Sequence, residues 1–207
     1  MEYNIRKTNL KDITLNSNEW EKAETIKIDS ANWSDFTYCP ETFVKVLAGD
    51  EGFFVKFKTD EENLIMECDE VNGPVYKDSC VEFFFNPDPV NSDGYFNFEI
   101  NAKGTILVGY GTGRSPLRSR LPEIDKSIFK IESKIEEKGF LLKLYIPYSF
   151  VLERAQGAQK IGDYIMGNFQ KCKESGVNPH FVSAFPIISE KPDFHHPECF
   201  GKMAIEK

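Results

Sequence analysis

Glu82, Asn97, Glu99 and Asn101 sit in two short runs, CVEFFFN (80–86) and YFNFEIN (95–101), and a third run, YIMGNFQKC (164–172), adds Asn168 and Gln170. Carboxylates accept hydrogen bonds and amides both accept and donate, so the set is suited to gripping an array of hydroxyls. A sugar is such an array, with hydroxyls on its edge for planar partners and C–H patches on its faces for aromatic walls. Tyr76, shortly before Glu82, and Phe194, in KPDFHHPECFG, are candidate walls, and the run GYGTGRSPLRSRLPEIDKS (109–127) supplies Arg114, Arg118 and Arg120. The same polar residues are also what the wet face of a sheet buried on one side carries, and pattern alone leaves both readings open.

The elements that must position these groups are strands. With a period of two, Val81, Phe83 and Phe85 share one face of the first run, and Phe96, Phe98 and Ile100 share one face of the second. The turn-rich NPDPVNSDG between them predicts an antiparallel hairpin, and matching the apolar faces sets Glu82 opposite Glu99 and Cys80 opposite Asn101. Two carboxylates directly opposite repel, so a cation, a shared proton or a hydroxyl-bearing ligand is expected to compensate.

Similar alternation runs over residues 52–58, 140–146 and 164–172, while only 147–158, opening Pro-Tyr-Ser, reads as a short helix. The 207 residues are 41% hydrophobic and 28% charged, with eighteen Phe, eight Tyr and two Trp, a payload suited to pleated sheets. The expected fold is all-β, an antiparallel sandwich or barrel with one or two short helices, spanning residues 1–207 as a single domain. A net charge of −8 disfavours nucleic acid or an anionic membrane as partner. Nothing resembles a signal peptide or a membrane span, and the five widely spaced cysteines suggest neither a disulfide framework nor a zinc knuckle, so a cytoplasmic location is expected.

Glycines 109, 111 and 113 do not make a phosphate cradle, because Pro116 and Pro122 follow where a helix is required. The run 109–127 is long enough to act as a lid or simply to be a solvated loop. His195 and His196 point in opposite directions on an extended segment, so no metal site is expected there; His195 remains a candidate to hydrogen-bond a ligand. Asp88, Asn91 and Asp93 offer oxygens for a structural calcium, although they are also ordinary turn residues. No other cofactor is indicated, and haem would need axial ligands that only the histidines and a few methionines offer.

The runs YKDSCVEFFFNP, YFNFEINAKGT, GNFQKC and KPDFHHPECFGKMAI, in this order and at these spacings, resemble the ninth family of carbohydrate-binding modules, which is related to the DOMON-type sandwiches and best known from appendages of xylanases. The similarity runs from about Ile28 and Trp33 to Ile205. It implies an antiparallel, jelly-roll-like β-sandwich that binds the reducing ends of mono- or oligosaccharides between two aromatic side chains, often with structural calcium, and without catalysis. Position by position, the clamp falls on Tyr76 and Phe194, where tryptophans are usual, and Glu82, Asn101 and Gln170 fall where the family hydrogen-bonds sugar. Glu99 stands where a basic residue is usual. The expected binding set is therefore Tyr76, Glu82, Glu99, Asn101, Arg114, Gln170, Phe194 and His195. The alternative is a glycoside hydrolase using Glu82 and Glu99 as its carboxylate pair.

Overall fold

The computed structural model describes residues 2–206. These form strands β1 (Glu2–Lys7), β2 (Thr25–Lys27), β3 (Ser30–Ala31), β4 (Glu41–Ala48), β5 (Gly52–Asp60), β6 (Cys80–Asn86), β7 (Tyr95–Asn101), β8 (Ile106–Gly111), β9 (Arg118–Arg120), β10 (Glu132–Ile135), β11 (Phe140–Pro147), β12 (Tyr164–Lys173), β13 (His180–Ser183) and β14 (Gly201–Ile205), with one α-helix, α1 (Tyr148–Arg154). The back of the sandwich is β10-β11-β5-β4, with β2 on its edge, and the front is β14-β12-β6-β7-β8-β9, extended by β13 and β3. Face-to-face packing is carried by aromatic contacts such as Phe53 on Phe85 (ring centroids 5.8 Å) and Phe57 on Phe169 (6.2 Å).

The two sheets are not separate. Residues 2–5 of β1 pair with β14 in the front sheet, and Arg6 and Lys7 pair with β4 in the back sheet. Both pairings are parallel, which corrects the expectation of a purely antiparallel sandwich. Short turns between neighbours enforce antiparallel order, but strands far apart in sequence are free to pair in parallel, and β1 meets partners of that kind.

Val81, Phe83, Phe85, Phe96, Phe98 and Ile100 all point into the core shared by the two sheets. Phe83 stacks on Phe169 with centroids 4.6 Å apart, and Phe129 and Phe150 of α1 close the end of the core beside Phe98. The hairpin register places Glu82 opposite Glu99 and Cys80 opposite Asn101. The opposite face of β6 and β7 is not wet. Trp33, Val75, Tyr95, Phe84, Phe194 and Phe200 form a second apolar cluster over it, so every residue of both strands is buried. Trp20 lies elsewhere, packed with Phe54 and Tyr145 on the outside of the back sheet.

One buried polar network interrupts the core. Lys171 and Lys173 sit on the core-facing side of β12, and their ammonium groups lie 2.7 and 3.2 Å from the Glu61 carboxylate, all fully buried. Ser79 Oγ donates to the same carboxylate at 2.9 Å, and Lys173 Nζ also donates to the backbone carbonyl of Asn63 at 3.1 Å. A lysine on an apolar face is costly unless paired, and Glu61 is the partner that makes these two tolerable.

Candidate functional site

Strand register builds the site row by row on the outer face of the front sheet. Gln170, Glu82, Glu99 and Leu107 stand side by side across β12, β6, β7 and β8. The next row holds Asn168, Phe84, Asn97 and Gly109, with Arg120 of β9 beyond them, and the row on the other side holds Cys172, Cys80 and Asn101. Loops crossing this face leave a cleft of about 410 Å³. Tyr76, Glu82, Glu99, Arg114, Phe194 and His195 all line it, together with Asn97, Arg118, Arg120, Phe181 and Asp193.

Two residues of the expected set do not reach the cleft. Asn101 is a turn anchor: its amide donates to the Cys68 carbonyl (2.9 Å) and to Asp78 Oδ2 (2.8 Å), and its Oδ1 accepts from the backbone N–H groups of Lys103 and Thr105. That spends its whole hydrogen-bonding capacity. Gln170 is fully buried beneath the cleft lining, between Glu82 and Ser183, and neither of its amide atoms has a partner. Asn168, on the same face, is also structural, because its amide brackets the N–H and C=O of Phe185.

The walls are apolar and their tips polar. Phe194 packs against Trp33 and Phe181 at centroid distances of 6.0 and 6.1 Å, so its ring is held by the second cluster. Tyr76, half-buried, packs on the same cluster. His195 lies over Phe84 at 5.0 Å and its Nδ1 is 3.0 Å from the Tyr95 hydroxyl. Burial, and then Arg118, depress its pKa to about 3, so the imidazole is neutral at pH 7. Arg114 Nε donates to Asp193 Oδ2 at 2.7 Å, and Asp193 Oδ1 accepts the backbone N–H of His195 at 2.9 Å, which ties the run 109–127 to the segment carrying Phe194.

The opposed glutamates are relieved in two ways. Burial raises Glu99 to about 7 against the opposing pull of the Asn97 amide, Arg118 and Arg120, and burial with Cys172 and Glu99 as neighbours lifts Glu82 well above the ordinary carboxylate range. Asn97 Nδ2 donates to Glu99 Oε1 at 2.7 Å, and Cys172 Sγ lies 3.1 Å from Glu82 Oε1. The remaining oxygen of each, Oε2, is buried with no partner. An unsatisfied buried acceptor is expensive, and two on the floor of one cleft are the donor-seeking chemistry a hydroxyl-rich ligand would satisfy.

Arg118 is the functional side chain that spacing alone did not single out. Its guanidinium lies 4.3 Å from the centroid of the Tyr95 ring, donates to the Gly113 carbonyl at 3.0 Å and to Asn97 Oδ1, and so fixes the amide that in turn grips Glu99. The signal in the sequence was Gly109. A Cβ there would strike Asn97 Oδ1 and stand 2.9 Å from Arg118 Nη1, so only glycine leaves room for the pair. Gly111 likewise admits Arg118 of the neighbouring strand and the Leu117 carbonyl just before it.

The other polar clusters have internal uses. The Asp88 carboxylate accepts Asn91 Nδ2 and the Gln159 N–H at 2.9–3.0 Å, which makes it a loop anchor. His196 hydrogen-bonds Glu198 at 2.8 Å and, unlike His195, does not line the cleft.

The sequence model of carbohydrate-binding family 9 matches residues 12–205. No curated protein sequence matches the chain. Among solved structures, a protein of Bacteroides uniformis ATCC 8492 proposed to bind carbohydrate superimposes with a TM-score of 0.82 at 25% identity, covering 99% of each chain. Two structures of a family 9 carbohydrate-binding module from Caldicellulosiruptor kristjanssonii share the fold. The one in complex with cellotriose has a TM-score of 0.67 at 12% identity, covering all of this chain and 94% of that one; the one with glucose has 0.62 at 13%, covering all of this chain and 96% of that one.

Proposed function

Because the chain belongs to carbohydrate-binding family 9, we propose that its cleft binds a sugar ring or chain end without cleaving it, between Tyr76 and Phe194 as walls and over Glu82 and Glu99 as floor. The observation that carries this reading is the pair of partnerless buried oxygens, Glu82 Oε2 and Glu99 Oε2, in a cleft also lined by aromatic and arginine side chains. Sugar hydroxyls donate to such oxygens, and the C–H faces of the ring suit the apolar walls. Arg114, Arg120 and the free edge of His195 supply the complementary donors at the rim.

The geometry favours grip over hydrolysis. Glu82 and Glu99 are neighbours on one sheet face and approach a ligand from the same side, whereas a glycosidase places its acid and its nucleophile or base on opposite sides of the scissile bond. The five free thiols suit a reducing compartment, and we extend the reading to a cytoplasmic protein handling small saccharides.

The test is calorimetric titration of the purified protein with glucose, xylose, cello-oligosaccharides and xylo-oligosaccharides, with the same mixtures assayed for new reducing ends after prolonged incubation. Saturable binding without turnover is expected. Release of reducing ends that vanishes in Glu82→Gln would establish a hydrolase instead, and no binding across the panel would sink the sugar reading.

A further inference from the structure

We propose that Cys80, Cys172 and Glu82 form a site for a thiophilic divalent cation of the zinc class, set into the floor of the cleft with one coordination position open to it. The three side chains come together through sheet register: Cys172 and Cys80 are directly opposite on β12 and β6, and Glu82 projects from the same face of β6 two residues on. One ligand atom from each lies within 4.8 Å of the other two, and Cys172 Sγ is 3.1 Å from Glu82 Oε1. Zinc–sulfur bonds of about 2.3 Å put two thiolates on one tetrahedral ion about 3.8 Å apart, so convergence on a common ion asks for side-chain adjustment only.

Glu82 is 2% exposed and its Oε2 is buried with no partner, so the cluster contains a buried ligand atom waiting for something to bind it. Cys172 and Glu82 line the cleft and Cys80 lies behind them, which gives three protein ligands on one side and leaves the fourth direction to water or a ligand oxygen. Two thiols and a carboxyl select a borderline-soft ion such as Zn²⁺ over Ca²⁺ or Mg²⁺, which take oxygen alone. The separation of the cysteines in sequence hides the site from any spacing motif; only the pairing of β6 with β12 assembles it.

The experiment needs no sugar and stands apart from the carbohydrate reading. A variant carrying Cys39→Ser, Cys68→Ser and Cys199→Ser keeps only the two site thiols. Held fully reduced with a non-thiol reductant, it is titrated with Cd²⁺ while the thiolate-to-cadmium absorption is followed, then back-titrated with Zn²⁺. Expected are saturation at a single cadmium ion per chain, displacement by zinc, an X-ray absorption spectrum of the zinc form with two sulfur neighbours, and affinity lower by about ten-fold or more in Glu82→Gln. Circular dichroism on each variant separates loss of ligand from loss of fold. No thiolate absorption in the folded, reduced triple variant overturns the proposal. So does a signal unchanged by Glu82→Gln and by Cys172→Ser, or a pair of thiols that ignores metal and closes only into a disulfide under mild oxidant.

Discussion

Glu99 is the residue whose chemistry is most exposed to experiment, because its carboxyl titrates near neutrality. A group whose folded pKa is raised from about 4.5 to about 7 contributes stability that is present below pH 4.5 and lost as pH rises through 7. Glu99→Gln, which mimics the protonated form, is therefore expected to raise the melting temperature relative to wild type at pH 8 and to leave it nearly unchanged at pH 5. Ligand binding should run the other way: hydroxyl donors favour the carboxylate, so sugar affinity in wild type should climb between pH 6 and pH 8, and this dependence should flatten in the variant. Tyr76→Ala tests the wall. Stacking worth about 0.5–1.5 kcal/mol beyond area burial predicts at least a several-fold loss of sugar affinity by calorimetry, with little change in melting temperature because Tyr76 is only half-buried. Face parity was enough to read which side Glu82 and Glu99 occupy and which residues they oppose. It said nothing of distance along the strand, and that is where it failed: Asn101 has the correct parity but ends β7, where the turn to β8 claims its amide. Gln170 shares the row with Glu82, yet it is fully buried and does not line the cleft.

At the scale of elements, β12 shows why an alternating pattern is an incomplete guide. Its core face reads Ile165, Gly167 and Phe169 and then Lys171 and Lys173, so period two alone drives two ammonium groups into the sandwich. The partner that reconciles them, Glu61, follows β5 in the opposite sheet, and no local signal links the two segments. Glu61→Gln leaves two buried cations without a counter-charge and is expected to cost about 3–5 kcal/mol in urea unfolding, while a Lys173→Met variant should be far milder because it removes a charge together with its need for a partner. The same network sets an acid limit. Burial opposes ionisation of Glu61, but Lys171 outweighs it and holds the pKa below its usual value, and burial, then Lys171, push His180 down to about 3. Both are depressed pKa values, so their contribution is complete above about pH 6.5 and declines as pH falls, first because unfolded His180 gains a proton that the folded form refuses, then as Glu61 itself is protonated. A denaturation series from pH 7 to pH 4 should show that decline, and Glu61→Gln should lack its lower portion. The outer face of β6 and β7 was equally hard to read: pattern alone left a wet face open, and the cover is built from Val75, just ahead of β6, together with Trp33 and Phe194 from segments remote in sequence.

For the whole molecule, composition and strand spacing sufficed to read an all-β fold and the family resemblance to read a sandwich, but the parallel seam was beyond both. Strand β1 is short and polar on one side, with only Tyr3 and Ile5 buried among its residues, and nothing in it announces that it will join two sheets. Its contribution is out of proportion to its length. Removing residues 2–7 would leave β4 and β14 each with an unpaired edge beside the core, and such edges template pairing with other chains. Size-exclusion chromatography of the truncated protein is expected to show aggregates or a poorly folded species in place of the native form; a well-behaved truncated chain with unchanged melting would show that the seam is dispensable.

That seam also fixes an order of events in time. β1 leaves the ribosome well before β14, its partner in the front sheet, with most of the described residues between them. Contacts of such long sequence separation are paid for in loop-closure entropy before they give anything back, and they form late. The hairpin of β6 and β7 can pair before β14 has been made, but the sandwich cannot lock until β14 has emerged. During that interval the open edges of the two half-sheets are the nascent chain's period of greatest vulnerability to misassembly.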